Sequence, residues 1–198
     1  MGTNGYRHAT DVRYPLGAVI LEVGVERDSD GAGSTTFLAH VGPPVHVVDV
    51  DPGQVERARQ LPNVTAHLGL AETVLQTWNL PIGFVWLDGH DWPYQHAPAG
   101  MWDAQEREYL ARDQAYSRDA SLASHLAVAK LIEPHVVPGG VVAFDDTWAL
   151  PSVLDPTPAP GWNGKGGTAV PYLLDQGFTV EKSGDIYHGL VLLRRFTK

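Results

Sequence analysis

Acidic residues follow three of the short apolar runs in this chain. Asp49, Asp88 and the pair Asp145-Asp146 each come directly after such a run. A carboxylate can accept hydrogen bonds from hydroxyl groups, take up a proton, or bind a hard divalent cation such as Mg²⁺. A purely structural account does not predict acids that recur at the same end of successive strands. The pattern therefore indicates a binding or catalytic site.

Short apolar runs alternate with helical patterns along most of the chain, and this alternation positions the acids. The predicted strands are 19–24, 45–49, 64–68, 83–88, 141–145, 178–182 and 190–196. The predicted helices are about 34–41, 51–61, 72–78, 121–133 and 168–176. The last two strands are joined by a short segment, so they should pair antiparallel. We predict a Rossmann-like, doubly wound α/β fold with a mostly parallel seven-stranded sheet and an antiparallel C-terminal hairpin.

The length of 198 residues favours a single domain over 1–198. Within it we interpret residues 1–17 as an N-terminal arm or lid, and 91–118 as an insertion that could close over a ligand. Residues 150–167 are rich in Pro and Gly and predict a loop. Lys165 lies there between glycines, which is typical of a flexible segment, although an anion contact is an alternative. Because the arm is short, a second subunit could help to close the site, so a homodimer is an open expectation.

The composition excludes several classes of site. The chain has no cysteine, which excludes disulfides, thiolate metal sites and cysteine nucleophiles. Its net charge of −9 argues against nucleic acid or an anionic membrane surface as a partner. No apolar run has the length of a membrane span, and the N-terminus lacks the apolar core of a signal peptide. We expect a cytoplasmic protein.

The loop after the first strand indicates the kind of cofactor. Its glycines, Gly24, Gly31 and Gly33, do not have the spacing of the dinucleotide fingerprint. Asp49, at the end of the second strand, can accept hydrogen bonds from the ribose hydroxyls of an adenosine cofactor. The alternative role of helix cap fits Asp51 better.

The same loop also carries several acids, which are Glu26, Asp28 and Asp30. Acids there would repel a pyrophosphate but tolerate a cation. If they are more than a solvated loop, this favours a sulfonium such as S-adenosylmethionine over a nicotinamide dinucleotide.

Four segments in order carry a family resemblance: Leu21-Glu22-Val23-Gly24, Val47-Val48-Asp49-Val50-Asp51, Val85-Trp86-Leu87-Asp88-Gly89 and Pro138-Gly139-Gly140-Val141-Val142. With them the chain resembles class I S-adenosylmethionine-dependent methyltransferases. Asp88 together with Phe144-Asp145-Asp146-Thr147-Trp148 is similar to the cation-dependent O-methyltransferases of the catechol, caffeoyl-CoA and macrolide-sugar types. The resemblance implies transfer of a methyl group to a hydroxyl of a small molecule.

The resemblance also implies roles for individual residues. The residues expected to bind the cofactor are Glu22, Gly24, Gly31, Ser34, Asp49, Val50, Ala71 and Asp88. The residues expected to bind a divalent cation, most simply Mg²⁺, are Asp88, Asp145 and Asp146. His90 is our candidate general base, with Asp88 beside it as the second catalytic residue; a structural role for His90 is the alternative. His125 has no chemically related residues near it in the sequence, and we interpret it as a structural or surface residue.

The chain departs from those families in ways that leave other functions open. Asp91 stands where the catechol type has its catalytic Lys, and Leu70 stands where an Asp commonly binds the adenine edge. The first loop is also longer than usual. The alternatives are a metal-independent methyltransferase, a non-catalytic protein that binds an adenosyl ligand, and a nicotinamide-dependent oxidoreductase.

Overall fold

The structure is a computed structural model that describes residues 5–25, 33–92, 103–149, 161–183 and 189–196. Its centre is a seven-stranded sheet with the order β3-β2-β1-β4-β5-β9-β8. The strands are β1 (Val19–Val23), β2 (Val45–Asp49), β3 (Val64–Leu68), β4 (Ile82–Leu87), β5 (Val136–Asp145), β8 (Phe178–Ser183) and β9 (Leu190–Arg195). The first five are parallel, and β9 lies antiparallel between β5 and β8. This arrangement confirms the predicted fold class.

In the described ranges, six α-helices accompany the sheet: α1 (Ser34–Leu38), α2 (Pro52–Ala58), α3 (Ala71–Val74), α4 (Asp103–Leu110), α5 (Arg118–Ile132) and α6 (Ala169–Asp175). Two apolar clusters lie on opposite faces of the sheet. One packs α3, α5 and α6 against the strands, and the other packs α1 and α2. Because the strands are buried on both faces, β4 is an unbroken apolar run and β1 is apolar except for Glu22.

The start of α2 follows from its sequence. The Oδ1 atom of Asp51 accepts hydrogen bonds from the backbone N–H groups of Gly53 and Gln54, at 2.7 and 3.3 Å. Pro52 occupies the first helical position, where no N–H is needed. Asp51 is therefore the cap that the sequence indicates, which leaves Asp49 available for another role.

The N-terminal arm does not lie over the ligand site in its described part. Residues Gly5–Asp11 form a 3₁₀ helix that buries Tyr6 and Ala9 against the sheet. The ring of Tyr6 meets Trp86 edge to face, with centroids 5.9 Å apart. Burial of these apolar side chains holds the arm on the face of the sheet, so the described part of the arm is not a lid.

Two further boundaries differ from the prediction. β5 begins at Val136, so Pro138-Gly139-Gly140 lies inside the strand at an irregularity of its register with β4, rather than in a turn before it. Thr147–Trp148 (β6) pairs antiparallel with Asn163–Gly164 (β7), so the end of the predicted 150–167 loop is ordered. Residues 150–160 lie outside the described part of the chain. Among the described residues no helix has the length and apolar character needed to cross a membrane.

Candidate active site

A cleft opens at the carboxyl ends of β1, β2 and β4, where ligands bind in open α/β sheets. The empty space among its lining residues, counted together with the adjoining open solvent, is about 410 Å³. Of the residues that the sequence assigns to a cofactor, the lining includes Gly24, Asp49, Val50 and Ala71. These come from the ends of three successive βα connections, which the parallel sheet brings together at one edge.

Gly24 ends β1 at a point where no larger residue fits. Its φ of +91° lies in the left-handed region. A Cβ atom there would lie 2.6 Å from the backbone oxygen of Asp88. The glycine thus lets the segments that follow β1 and β4 approach each other directly beside the cleft.

Asp49 is held in one orientation by backbone donors. Its Oδ2 accepts a hydrogen bond from the N–H of Val25 at 2.7 Å, and its Oδ1 accepts one from the N–H of Asp51 at 2.8 Å. The residue is only 5% exposed. Each carboxylate oxygen can accept more than one hydrogen bond, so a carboxylate held in this way suits the binding of ligand hydroxyls.

The remaining predicted cofactor residues are placed differently. The hydroxyl of Ser34 donates to Oε1 of buried Glu22 at 2.5 Å, which ties the start of α1 to β1. Neither residue, nor Asp88, is among the described residues that line the cleft. Gly31 lies outside the described residues. The Glu22–Ser34 bond makes these two residues supports of the loop, and their cofactor contact stays a prediction.

Part of the 91–118 segment forms a wall of the cleft. Gln105 and Tyr109, both on α4, line it. The hydroxyl of Tyr116 donates to Oε1 of Gln105 at 2.6 Å, and the two tyrosines pack with Val50 in a small apolar cluster. The segment therefore builds its own small core and lines the site at the same time. Residues 93–102 lie outside the described part of the chain.

Two histidines line the cleft, and their hydrogen bonds fix their tautomers. Nε2 of His90 donates to the carbonyl oxygen of Ala115 at 3.1 Å, and Nδ1 of His125 donates to that of Ser121 at 2.8 Å. A carbonyl oxygen can only accept, so the other ring nitrogen of each histidine carries a lone pair. His90 Nδ1 and His125 Nε2 are buried and have no hydrogen-bond partner among the described residues. Both are candidate acceptors for a ligand.

Burial keeps these imidazoles neutral. It lowers the pKa of His90, although the Ala115 carbonyl opposes the shift. It lowers the pKa of His125 to about 3, with the nearby charge of Lys165 acting in the same direction. No pattern in the sequence assigns a function to His125. Its position on the buried face of α5, together with Val128, Ala129 and Ile132, is the signal that could have identified it.

Beside the cleft, the predicted metal ligands come together as an acidic cluster, which we define as Asp88, Asp91, Asp145 and Asp146. One carboxylate oxygen from each of Asp88, Asp145 and Asp146 lies within 4.8 Å of the others. Burial raises the pKa of Asp88 to about 6; the charges of Asp91 and Asp146 add to the shift, and Lys165 opposes it. The adjacency of β4 and β5 accounts for this convergence.

Lys165 lies in this cluster, which the sequence did not predict. Its Nζ is 2.6 Å from Oδ1 of Asp88, 2.5 Å from Oδ1 of Asp91 and 3.4 Å from Oδ2 of Asp146. The lysine side chain is 0% exposed. The interpretation of Lys165 as part of a flexible segment is therefore wrong, because its ammonium is buried against carboxylates. No spacing in the sequence links residue 165 to residue 88.

Comparisons with known proteins agree with the fold. No family model matches the chain, and no curated protein matches its sequence. A solved structure of SMU.1697c from Streptococcus mutans, described as a methyltransferase candidate in complex with SAH, is similar with a TM-score of 0.59 and 16% identity over 96% of this chain and 95% of that one. An rRNA methylase from Streptococcus thermophilus is similar with a TM-score of 0.55 and 13% identity over 97% and 94% of the two chains.

A third similar structure is the N-methyltransferase NodS from Bradyrhizobium japonicum in complex with S-adenosyl-L-homocysteine, with a TM-score of 0.50 and 14% identity over 96% of this chain and 83% of that one. At these identities the likeness establishes the fold alone. The fold of this chain is the one that these methyltransferases share. One of them is described as an rRNA methylase and another as an N-methyltransferase.

Proposed function

We propose that this chain is an S-adenosylmethionine-dependent methyltransferase that acts on a hydroxyl group of a small molecule. The observation that carries the proposal is the fixed carboxylate of Asp49 in the cleft, next to the close approach at Gly24. In a fold of this kind the end of the second strand is where an adenosine ribose is bound. The cofactor would supply an electrophilic methyl group on a sulfonium.

The residues of the cleft fit such a cofactor. Asp49 would accept the ribose hydroxyls, and the apolar side chains of Val50 and Ala71 would lie against the adenine. His125 Nε2 and His90 Nδ1 are buried acceptors that would otherwise remain without partners among the described residues. Leaving a buried acceptor unsatisfied costs about 1–3 kcal/mol, so a ligand donor at these atoms would bind favourably.

His90 is the residue of this chain that we assign to proton acceptance. Its Nδ1 carries the free lone pair, and its ring is held by stacking on Tyr109 with centroids 4.0 Å apart. A hydroxyl is a poor nucleophile until it loses a proton, so a fixed neutral imidazole beside the cleft suits that task. The lowered pKa of His90 keeps it unprotonated at neutral pH.

The charge of the chain favours a small acceptor over RNA. Similar structures include rRNA methylases. RNA binding requires basic side chains that neutralise phosphates, whereas this chain has 14 basic and 23 acidic residues. Methylation of rRNA by the purified protein would overturn the proposed substrate class while leaving the proposed cofactor in place.

The test is calorimetric titration with S-adenosylhomocysteine. We expect the wild-type protein to bind it and Asp49→Ala to lose about 1.5–3 kcal/mol of binding free energy, because hydrogen bonds to a charged acceptor are removed. Asp51→Asn is the matched control: it removes the same charge two residues away and keeps an oxygen to cap α2. No binding by the wild type, or equal loss in both variants, would contradict the proposal. Turnover on a panel of hydroxylated acceptors then tests the substrate class.

A further inference from the structure

The positive charge inside the acidic cluster belongs to the chain itself. The ammonium of Lys165 contacts carboxylates from the segment after β4, at Asp88 and Asp91, and from the end of β5, at Asp146. It is fully buried, while Asp88 and Asp146 are about one third exposed, at 33% and 29%. Clustered carboxylates repel one another unless a cation lies among them, and here the lysine is that cation.

The backbone around Lys165 fixes the position of the ammonium. The N–H of Lys165 donates to the carbonyl oxygen of Asp146 at 3.0 Å. The N–H of Gly166 donates to the hydroxyl oxygen of Thr147 at 2.9 Å, and that hydroxyl donates to the carbonyl oxygen of Asp145 at the same distance. At Gly164, with a φ of +78°, a Cβ would lie 1.8 Å from the backbone carbonyl oxygen of Asp146. These contacts attach the lysine segment to the end of β5 on both sides of Lys165.

A divalent ion does not fit among these groups while Lys165 is in place. An Mg²⁺ ion binds oxygen at about 2.0–2.1 Å and demands near-octahedral geometry. Between the Asp88 and Asp146 oxygens, that volume is held by Nζ at 2.6 and 3.4 Å from them. Two positive charges would also lie side by side in a partly buried site, which is unfavourable.

We infer that Lys165 is a positioning residue that takes the place of a divalent metal ion, so that the reaction of this site needs no metal. The statement about the reaction rests on the proposed function, but whether Lys165 or a metal ion occupies the acidic cluster can be tested without it. The lysine acts through the carboxylates: it holds Asp88 and Asp91 at the end of β4, directly before and after the cleft-lining residues Gly89 and His90. It thereby fixes the segment that carries the proposed base.

The test measures metal binding directly, by electron paramagnetic resonance of Mn²⁺ during titration. Wild-type protein should bind no stoichiometric Mn²⁺ in the micromolar range. Lys165→Met removes the ammonium at similar volume and should create a site that binds Mn²⁺ more than about tenfold tighter than the wild type does. Lys165→Arg keeps the charge and should bind none. Lys130→Ala, which removes an exposed lysine on α5, is the control and should behave as the wild type.

Two results would overturn the inference. One is a stoichiometric Mn²⁺ site in the wild-type protein that Asp145→Asn abolishes. The other is a folded Lys165→Met protein that binds Mn²⁺ no better than the wild type. Circular dichroism decides whether Lys165→Met is folded. If it is not, the wild type and Lys165→Arg carry the test, and a stoichiometric Mn²⁺ site in either protein that Asp145→Asn abolishes contradicts the inference.

A second measurement distinguishes this inference from the proposed function. S-adenosylhomocysteine binding is measured on the same samples, with chelator and with added Mg²⁺. Failure to bind would remove the proposed function but leave the Mn²⁺ comparison standing. If the protein turns over an acceptor, chelator should not lower kcat, whereas Lys165→Met should lose activity and regain part of it with Mn²⁺. A merely structural lysine would give no such rescue.

Discussion

The cleft and the acidic cluster adjoin each other but are built by different means. In the cleft, the sequence-assigned residues are held largely by backbone groups: Asp49 by the N–H groups of Val25 and Asp51, and Gly24 by the N–H that it donates to Val48. In the acidic cluster, side-chain charges from the ends of β4 and β5 and from a segment just before α6 hold one another. The difference teaches that one half of the site depends on local geometry and the other on a long-range ion network.

The two halves adjoin each other where the segments after β1 and β4 come together. The space that a Cβ of Gly24 would need is taken by the backbone oxygen of Asp88, 2.6 Å away. A substitution in the cleft or in the acidic cluster therefore lies close to the other half of the site. Variants that affect only one of the two test whether the cleft and the cluster are independent.

The largest effect should come from removing the cation of the acidic cluster. We expect Lys165→Met to lower the free energy of unfolding by about 3 kcal/mol, because partly buried carboxylates lose their partner. Urea unfolding measures it, with Lys130→Ala as the control, which should change stability by less than about 0.5 kcal/mol. Affinity for S-adenosylhomocysteine should stay close to that of the wild type. A large loss of affinity would mean that the two halves are not separate.

The next effect should come from the backbone that carries the lysine. Gly164→Ala places a Cβ into the Asp146 oxygen, whereas Gly161→Ala, also at positive φ, meets no described atom within 4 Å. Both variants are destabilised by an alanine in the left-handed conformation, so the difference between their free energies of unfolding reports the steric contact at Gly164. We expect Gly164→Ala to be less stable than Gly161→Ala by about 2–3 kcal/mol in thermal or urea unfolding. Equal stabilities would mean that the segment moves freely away from β5.

A pH dependence should arise on the cleft side. The unfolded chain protonates His125 below about pH 6.5, but the folded chain does so only near its pKa of about 3. Between these values the unfolded state binds more protons, so the free energy of unfolding falls as the pH falls. From pH 7 to pH 5 this amounts to about 2 kcal/mol. We expect His125→Gln to show a correspondingly smaller loss over that interval, and an unchanged slope would contradict the assigned neutral state.

The smallest effect should come from the helix cap beside the cleft. Asp51→Ala removes the acceptor for the N–H groups of Gly53 and Gln54 and should cost about 1 kcal/mol of stability. Because Asp49 retains the N–H of residue 51 as its donor, the affinity for S-adenosylhomocysteine should change little. Differential scanning calorimetry and titration of the same sample measure both. A loss of affinity larger than that of Asp49→Ala would exchange the roles of the two acids.

Much of the fold could be predicted from the sequence because its signals are local. The buried strand β4 is an unbroken apolar run, β1 is apolar except for Glu22, and Asp51-Pro52 alone indicates a helix start. Asp49 follows from its place at the end of a strand, whereas Gly24, Val50 and Ala71 follow from the family resemblance; all four line the cleft. The extension of β5 through Pro138-Gly139-Gly140 could not be predicted, since it depends on pairing with β4 rather than on propensity.

The sequence by itself determined which end of the sheet carries the chemistry, because parallel strands place their carboxyl ends together wherever acids follow apolar runs. Only the tertiary structure decided what those acids bind. Lys165 and Asp88 are far apart in the chain, and a lysine between glycines has the same local pattern whether it is solvated or buried. Its ammonium reaches the carboxylates because β6 and β7 pair and return the chain to the end of β5. A charge without a local pattern can be assigned only when its neighbours in space are known.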